Sequence, residues 1–131
     1  MLLDTAGLLC LLYRDQPQHL PAQEIYSRAK TRLTHNYVLD ELVAVAHSRR
    51  VPRQSVLTFS RKLLNDADIE VVWVDENLHR RALDLLLART DKTYSLCDAV
   101  SFVVMRERSE TEALTTDRHF EQEGLVRLLN P

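Results

Sequence analysis

"YSLCDAVSFVVM", residues 94–105, is an apolar run broken by one acid, Asp98. On a helix, Leu96, Ala99, Val100, Phe102, Val103, Val104 and Met105 point in nearly every direction, and a helix apolar on nearly all sides is a buried one. The pattern predicts a helix over about 95–107 with Asp98 and Ser101 as its only polar stripe. Ser95, three residues before Asp98, has the spacing of a capping box, which would explain the acid on structural grounds alone. A buried carboxylate still needs a partner, and the nearest cations, Arg106 and Arg108, lie beyond the helix middle.

Outward from that helix, the chain alternates short β-branched runs with amphipathic ones. "IEVVWV", 69–74, is the clearest strand, and short strands are also expected at residues 1–4, around 32–35, in "EALTT" ending at Asp117, and in "VRLL". Helices are expected over about 5–14, 22–30, 37–49, 53–65 and 77–89, with "RDQPQHLP" as a turn and Pro52 separating two of them. Strands alternating with helices imply parallel pairing, right-handed crossovers and a doubly wound α/β domain. Ligands in such sheets bind beyond the carboxyl ends of the strands.

The 131 residues suit one domain spanning 1–131, and 45% hydrophobic with 27% charged residues suits a soluble globular chain. A net charge of -2 argues against whole-surface attraction to nucleic acid, without excluding a local basic patch. "MLLDTAGLLCLLY" lacks a basic leading region and is interrupted by Asp4, so it is not read as a signal peptide. No stretch approaches the ~18 apolar residues of a membrane span. Cys10 and Cys97 lie in apolar surroundings without a CxxC, as two buried free thiols of a cytoplasmic protein would.

Asp4 and Asp117 each end a strand and so fall on the functional rim, although Asp4 could merely cap the next helix and Asp117 could serve a turn. Glu41 shares a helical stripe with Val38 and Val45, whereas Asp40 lies on a face that can be wet. If Asp4, Glu41, Asp98 and Asp117 converge, each pair about 5 Å apart costs roughly 3 kcal/mol at an effective dielectric near 20. Such a cluster must hold protons or cations, and oxygen donors with no convergent Cys or His select Mg²⁺ or Mn²⁺.

Four segments carrying these acids, "LLDTAGLLCLL", "THNYVLDELV", "YSLCDAVSFVVM" and "ALTTDRHFEQEGL", resemble the PIN-domain ribonuclease family, most closely its VapC-like toxins. The resemblance implies a three-layer α/β/α domain around a parallel sheet of about five strands. It implies Mg²⁺- or Mn²⁺-dependent hydrolysis of RNA, frequent homodimerisation and, in the toxin branch, an antitoxin that blocks the site. By position, Asp4 and Asp98 become the principal metal ligands, and Glu41 and Asp117 secondary ligands or water positioners. Thr5 and Thr116 stand where the family often has a supporting hydroxyl. The expected chemistry is in-line attack on phosphorus by a water that the metal makes acidic.

Arg118, beside Asp117, and the cluster Arg49, Arg50 and Arg53 are candidate phosphate contacts, with Arg61, Lys62, Arg80 and Arg81 as further basic pairs. No His is placed to activate Ser95 or Ser101, and His119, two residues after Asp117, reads as structural. A haloacid-dehalogenase-type phosphohydrolase would need an acid at Ala6, and a nucleotide-binding loop would need more than Gly7 and Gly124. The remaining alternatives are a housekeeping PIN nuclease and a catalytically silent RNA- or protein-binding module.

Overall fold

The computed structural model describes residues 1–130. Five strands, β1 (Leu2–Leu3), β2 (Arg32–His35), β3 (Ile69–Val72), β4 (Glu112–Leu114) and β5 (Val126–Arg127), form one sheet in the order β3-β2-β1-β4-β5. Every neighbouring pair is parallel. Seven helices join the strands: α1 (Thr5–Leu12), α2 (His19–Arg28), α3 (Asn36–Ser48), α4 (Arg53–Asn65), α5 (Glu76–Ala88), α6 (Leu96–Glu107) and α7 (His119–Gln122). The doubly wound α/β expectation is met. No helix is long and apolar enough to cross a membrane.

The two-residue period of a strand divides the core between the two faces of the sheet. Leu3 and Leu114 pack with α1 to α4, whereas Leu2, Leu33 and Ala113 pack with α5, α6 and Phe120 of α7. Helix α6 buries eight residues, including Asp98 and Ser101, as its all-round apolarity predicts. Ser101 Oγ pairs with His35 Nε2 at 2.8 Å, and His35 Nδ1 accepts from the Val38 amide at 3.3 Å. Burial holds His35 neutral, with its pKa lowered to about 4. This neutral imidazole ties α6 to the start of α3.

Several element ends differ from the sequence expectations for local reasons. Helix α2 begins at His19, before Pro21, because a first-turn proline gives up an amide with no helical partner anyway. Strand β3 stops at Val72 rather than residue 74, and the Val74 amide donates to Asn36 Oδ1 at 2.7 Å instead of to a strand. The single turn α7 carries no helical period long enough to be read from the sequence. Cys10 and Cys97 are buried free thiols, as expected.

Strands β2 and β3 lie on one side of β1, and β4 and β5 on the other, so the winding reverses between β1 and β4. Crevices at such reversals are where doubly wound sheets bind ligands. Gly7 makes the crevice tight, because a Cβ built on it would meet the Leu114 carbonyl oxygen at 2.0 Å. That oxygen belongs to the sheet backbone and cannot swing aside. Gly7→Ala is expected to destabilise the chain by about 3 kcal/mol, read as a lower midpoint in urea, despite the better helix propensity of Ala.

Candidate active site

Asp4 follows β1 and Thr115 follows β4, side by side at the carboxyl rim. Asp4 occupies the N-cap of α1 yet makes no side-chain capping bond, so the capping explanation for this acid fails. Its Oδ2 accepts the Thr115 hydroxyl at 2.7 Å, while Oδ1 is buried without a partner. The neighbouring Thr5 hydroxyl is also buried and unpartnered. An unpaired buried carboxylate oxygen is costly unless protonated or bound to a cation. Burial pushes the Asp4 carboxyl up to about 7, the charges of Asp98 and Glu41 push the same way, and the Thr115 hydroxyl and the Thr5 amide oppose them.

Asp98 sits in the first turn of α6, 6% exposed, and the capping box read from the sequence is present. Asp98 Oδ2 accepts the Ser95 amide at 3.0 Å, and Ser95 Oγ accepts the Asp98 amide at 3.0 Å. The cap fixes the carboxylate without satisfying it fully, and the same Oδ2 meets His119 Nδ1 at 3.0 Å. Asp117 also plays its structural part, accepting the His119 amide on Oδ1 at 2.9 Å. Its own amide donates to Thr115 Oγ1 at 3.0 Å. Thr115 therefore links Asp4 to Asp117.

Ligand atoms of Asp98, Asp117 and His119 lie within 4.8 Å of one another. Glu41, half-buried on the second turn of α3, lies near enough for its charge to raise the pKa of both Asp4 and Cys97, but outside the tight group of Asp98, Asp117 and His119. Burial, reinforced by Glu41, Asp4 and Asp98, pushes the Cys97 thiol far up, so Cys97 offers no thiolate to a soft metal. The donor set fits a hard divalent cation. Oxygen donors of Asp98 and Asp117 converge with the His119 ring, Asp4 is tied to Asp117 through Thr115, and the orphaned Asp4 Oδ1 fits as a ligand atom for a cation.

Two features were not foreseen. The hydroxyl on the acids is that of Thr115, while Thr116 presents its carbonyl oxygen to Arg127 Nη1 at 3.1 Å. Both threonines stand side by side in the sequence, and only the pleat decides which one turns inward. His119, expected near the site in a structural role, brings a ring nitrogen within 4.8 Å of the Asp98 and Asp117 oxygens, which corrects the expectation of a donor set without His. The placement comes from α7, whose first turn swings the imidazole back over Asp98.

Among the basic candidates, Arg80 pairs with Glu76 and Arg81 with Glu107, as a solvated helix face would. Arg49, Arg50, Arg53, Arg61, Lys62 and Arg118 are exposed and have no ion-pair partner among the described residues. Arg50 is held at φ 60°, a left-handed conformation that favours glycine.

Comparison with known proteins agrees with this geometry. A family model for the PIN domain matches residues 1–124. The chain is 28% identical over 126 residues to the 23S rRNA-specific endonuclease VapC20 of Mycobacterium tuberculosis, covering 95% of each sequence. The crystal structure of Mycobacterium tuberculosis VapC20, a sarcin-ricin loop cleaving toxin, superposes with a TM-score of 0.88 at 25% identity, covering 99% of this chain and 98% of the other. A toxin–antitoxin complex from Klebsiella pneumoniae shares the fold at a TM-score of 0.65 and 14% identity, covering 99% and 98%. With a five-stranded parallel sheet and the PIN domain model matching residues 1–124, nearly the whole chain, the chain belongs to the PIN domain family.

Proposed function

We propose that this chain, an endoribonuclease of the VapC type, hydrolyses a phosphodiester in a structured loop of ribosomal RNA with the help of Mg²⁺ or Mn²⁺, and acts as the toxin of a toxin–antitoxin pair. The observation that carries the reading is the buried, unpartnered Asp4 Oδ1 beside three further acids. A catalytically silent module would have no use for that arrangement, since a buried charge cluster only lowers stability. The rRNA target is suggested by the printed name of VapC20. Antitoxin control, homodimerisation and a cytoplasmic setting are carried over from the family resemblance.

In this reading Asp4, Asp98, Glu41 and Asp117 hold the cation. The chemistry it supplies when bound is Lewis-acid: it makes water acidic enough to attack at neutral pH and offsets charge building on the phosphate. The protein's own groups do the rest. Thr115 fixes one oxygen of Asp4 so that the other faces the crevice. The Ser95 amide fixes Asp98. His119 Nδ1 lies 3.0 Å from Asp98 and 3.5 Å from Asp117, which puts a ring nitrogen at the edge of the acidic set. With His119 at hand, Mn²⁺ is as suitable as Mg²⁺.

Substrate must be drawn to an acidic site. Arg118 follows Asp117 directly, and Arg49 starts a basic corner eight residues beyond Glu41, about 12 Å along the helix axis. A non-glycine residue at positive φ costs on the order of 1 kcal/mol, and its retention at Arg50 fits a side chain kept for binding. Arg50→Gly is expected to raise stability by about 1 kcal/mol. The same change should weaken RNA binding and reduce the slope of log affinity against log salt by about one unit. Denaturant melts and binding titrations at several salt concentrations check both halves.

The decisive experiment is incubation of labelled rRNA and tRNA fragments with wild type in Mg²⁺, in Mn²⁺ and in EDTA. Metal-dependent cleavage of an rRNA loop supports the proposal. Cleavage that persists in EDTA refutes the metal mechanism, and absence of cleavage under every condition refutes the nuclease. Sedimentation of the purified chain tests the dimer.

A further inference from the structure

Trp73 is the one aromatic among the exposed large apolar side chains of the described residues, and the mechanism does not use it. It is the only tryptophan in the chain, and it is 64% exposed. Tryptophan is usually well buried, so this placement needs an explanation.

The strand register fixes where it lies. Leu2 pairs with Leu33 and Leu33 with Glu70, so Asp4 is level with His35 and Val72, and Trp73 stands one residue beyond that level. Two strand spacings of about 4.8 Å and one rise of about 3.3 Å put its backbone roughly 10 Å from that of Asp4, on the same rim. By the strand alternation Trp73 continues the row of Ile69 and Val71, which face the layer containing α1 and α3. Unlike them it follows the last paired residue, so the sheet no longer covers it. The next residue is pinned, since the Val74 amide donates to Asn36 Oδ1 at 2.7 Å. Asn36 opens α3, which carries Glu41 one turn further on. The indole therefore rises from backbone tied to the elements that bear the acids.

Its surroundings select the kind of partner. Asp75, Glu76 and Asn77, which follow it closely, are exposed and polar. The other exposed large apolar side chains, Leu20, Leu57, Leu64, Leu83, Leu87 and Val126, belong to α2, α4, α5 and β5. A protein interface is built on a contiguous apolar centre, which a single indole among polar side chains does not supply. Asp75, with Glu76 already paired to Arg80 and Asn77 uncharged, gives phosphates no anchor here and leaves the π-face of the indole for an uncharged base. Unpaired bases of RNA loops stack on exposed aromatic rings.

We infer that Trp73 is a base-stacking platform that holds an unpaired nucleobase within about three stacked nucleotides of the scissile phosphate, at ~3.4 Å per step. The inference rests on the endoribonuclease reading and adds to it a determinant of substrate position.

The test uses the full chain carrying Asp98→Asn, to prevent cleavage, and a labelled RNA hairpin of the sarcin-ricin loop sequence, in Mg²⁺. Adding Trp73→Ala should weaken binding by about 10- to 100-fold, whereas Trp73→Phe should stay within about 3-fold. The slope of log affinity against log salt should not change, because stacking releases no counterions. The single tryptophan should be quenched by the hairpin with the same midpoint as the binding curve. Unchanged binding by Trp73→Ala overturns the inference. So does an equal loss in Ala and Phe variants accompanied by a lower melting midpoint, which would mark a structural role. A shift in sedimentation with unchanged RNA affinity also overturns it and assigns Trp73 to a protein contact. Wild-type cleavage of the same hairpin, run in parallel, separates the two layers. If wild type neither binds nor cleaves it or other RNA, the nuclease reading fails and the platform falls with it. If wild type cleaves it and Trp73→Ala does so with the same KM, only the platform falls.

Discussion

Asp98→Asn is expected to lower the rate of RNA cleavage by about 10³-fold without lowering the stability of the fold. About 4 kcal/mol of barrier corresponds to that factor at 1.36 kcal/mol per decade, and several kcal/mol is what a well-held divalent ion contributes to charge stabilisation. The structural half follows from the capping box. Asn keeps a carbonyl oxygen where Asp98 Oδ2 accepts the Ser95 amide, and Ser95 Oγ still accepts the amide of residue 98. What disappears is one negative charge, and that charge pushes up the Asp4 carboxyl. The variant should therefore melt no lower than wild type in EDTA. Single-turnover cleavage paired with a thermal melt checks the prediction. Equal cleavage by both proteins would remove Asp98 from the site, and a large loss of stability would mean that its role is mainly the cap.

The second large effect is that of a divalent ion on stability, and its dependence on pH. Asp4 titrates near 3.8 when unfolded and at about 7 when folded without metal. Between these values the native state holds a proton that the unfolded chain has lost. Stability from this group therefore falls as pH rises from about 4 to 7, by roughly 4 kcal/mol in all. His35, lowered from 6.5 to about 4, acts in the opposite sense, since its unfolded form takes up the proton first. Its contribution rises with pH between about 4 and 6.5, so the two slopes largely cancel in acid. Above pH 7 the Asp4 penalty stands in full.

Saturating Mn²⁺ should relieve that penalty. At one hundred times its dissociation constant an ion adds about 2.7 kcal/mol, on the order of 10 °C for a chain of this size. The gain over EDTA should be larger at pH 8 than at pH 6, because the ion displaces the Asp4 proton below pH 7. Asp4→Asn, neutral at every pH, should melt higher than wild type in EDTA at pH 8, match it near pH 4 and lose most of the response to Mn²⁺. Melting curves at pH 4, 6 and 8 test all three statements. A wild-type midpoint indifferent to Mn²⁺ at pH 8 would return the chain to the silent-module reading.

The two structural explanations offered for Asp98 and Asp117 are both true and do not exclude a role in the site. Asp98 completes a capping box, and Asp117 accepts the amide that starts α7. A carboxylate has four lone-pair positions, so one that caps a helix can still turn an oxygen toward a crevice. Asp4 is the different case. It stands at an N-cap and does no capping, which makes its unpartnered oxygen the clearest sign that the rim is built for something outside the polypeptide.

The alternation of "IEVVWV" and its fellows with amphipathic helices, together with the all-round apolarity of 96–105, was enough to determine a doubly wound α/β fold. Asp4 falls just after a strand on its working rim, as expected, whereas β4 stops at Leu114 and Asp117 lies three residues beyond it, where Thr115 holds its amide. These features are local, because the periods of strand and helix are written in neighbouring residues. The sequence could not decide that Thr115 rather than Thr116 holds Asp4, that His119 bends back over Asp98, or that Trp73 overshoots its strand into solvent. Those choices depend on the pleat, on a single turn of helix and on strand register. Each is set by contacts between residues up to 111 apart in the chain, so only the folded sheet could make them.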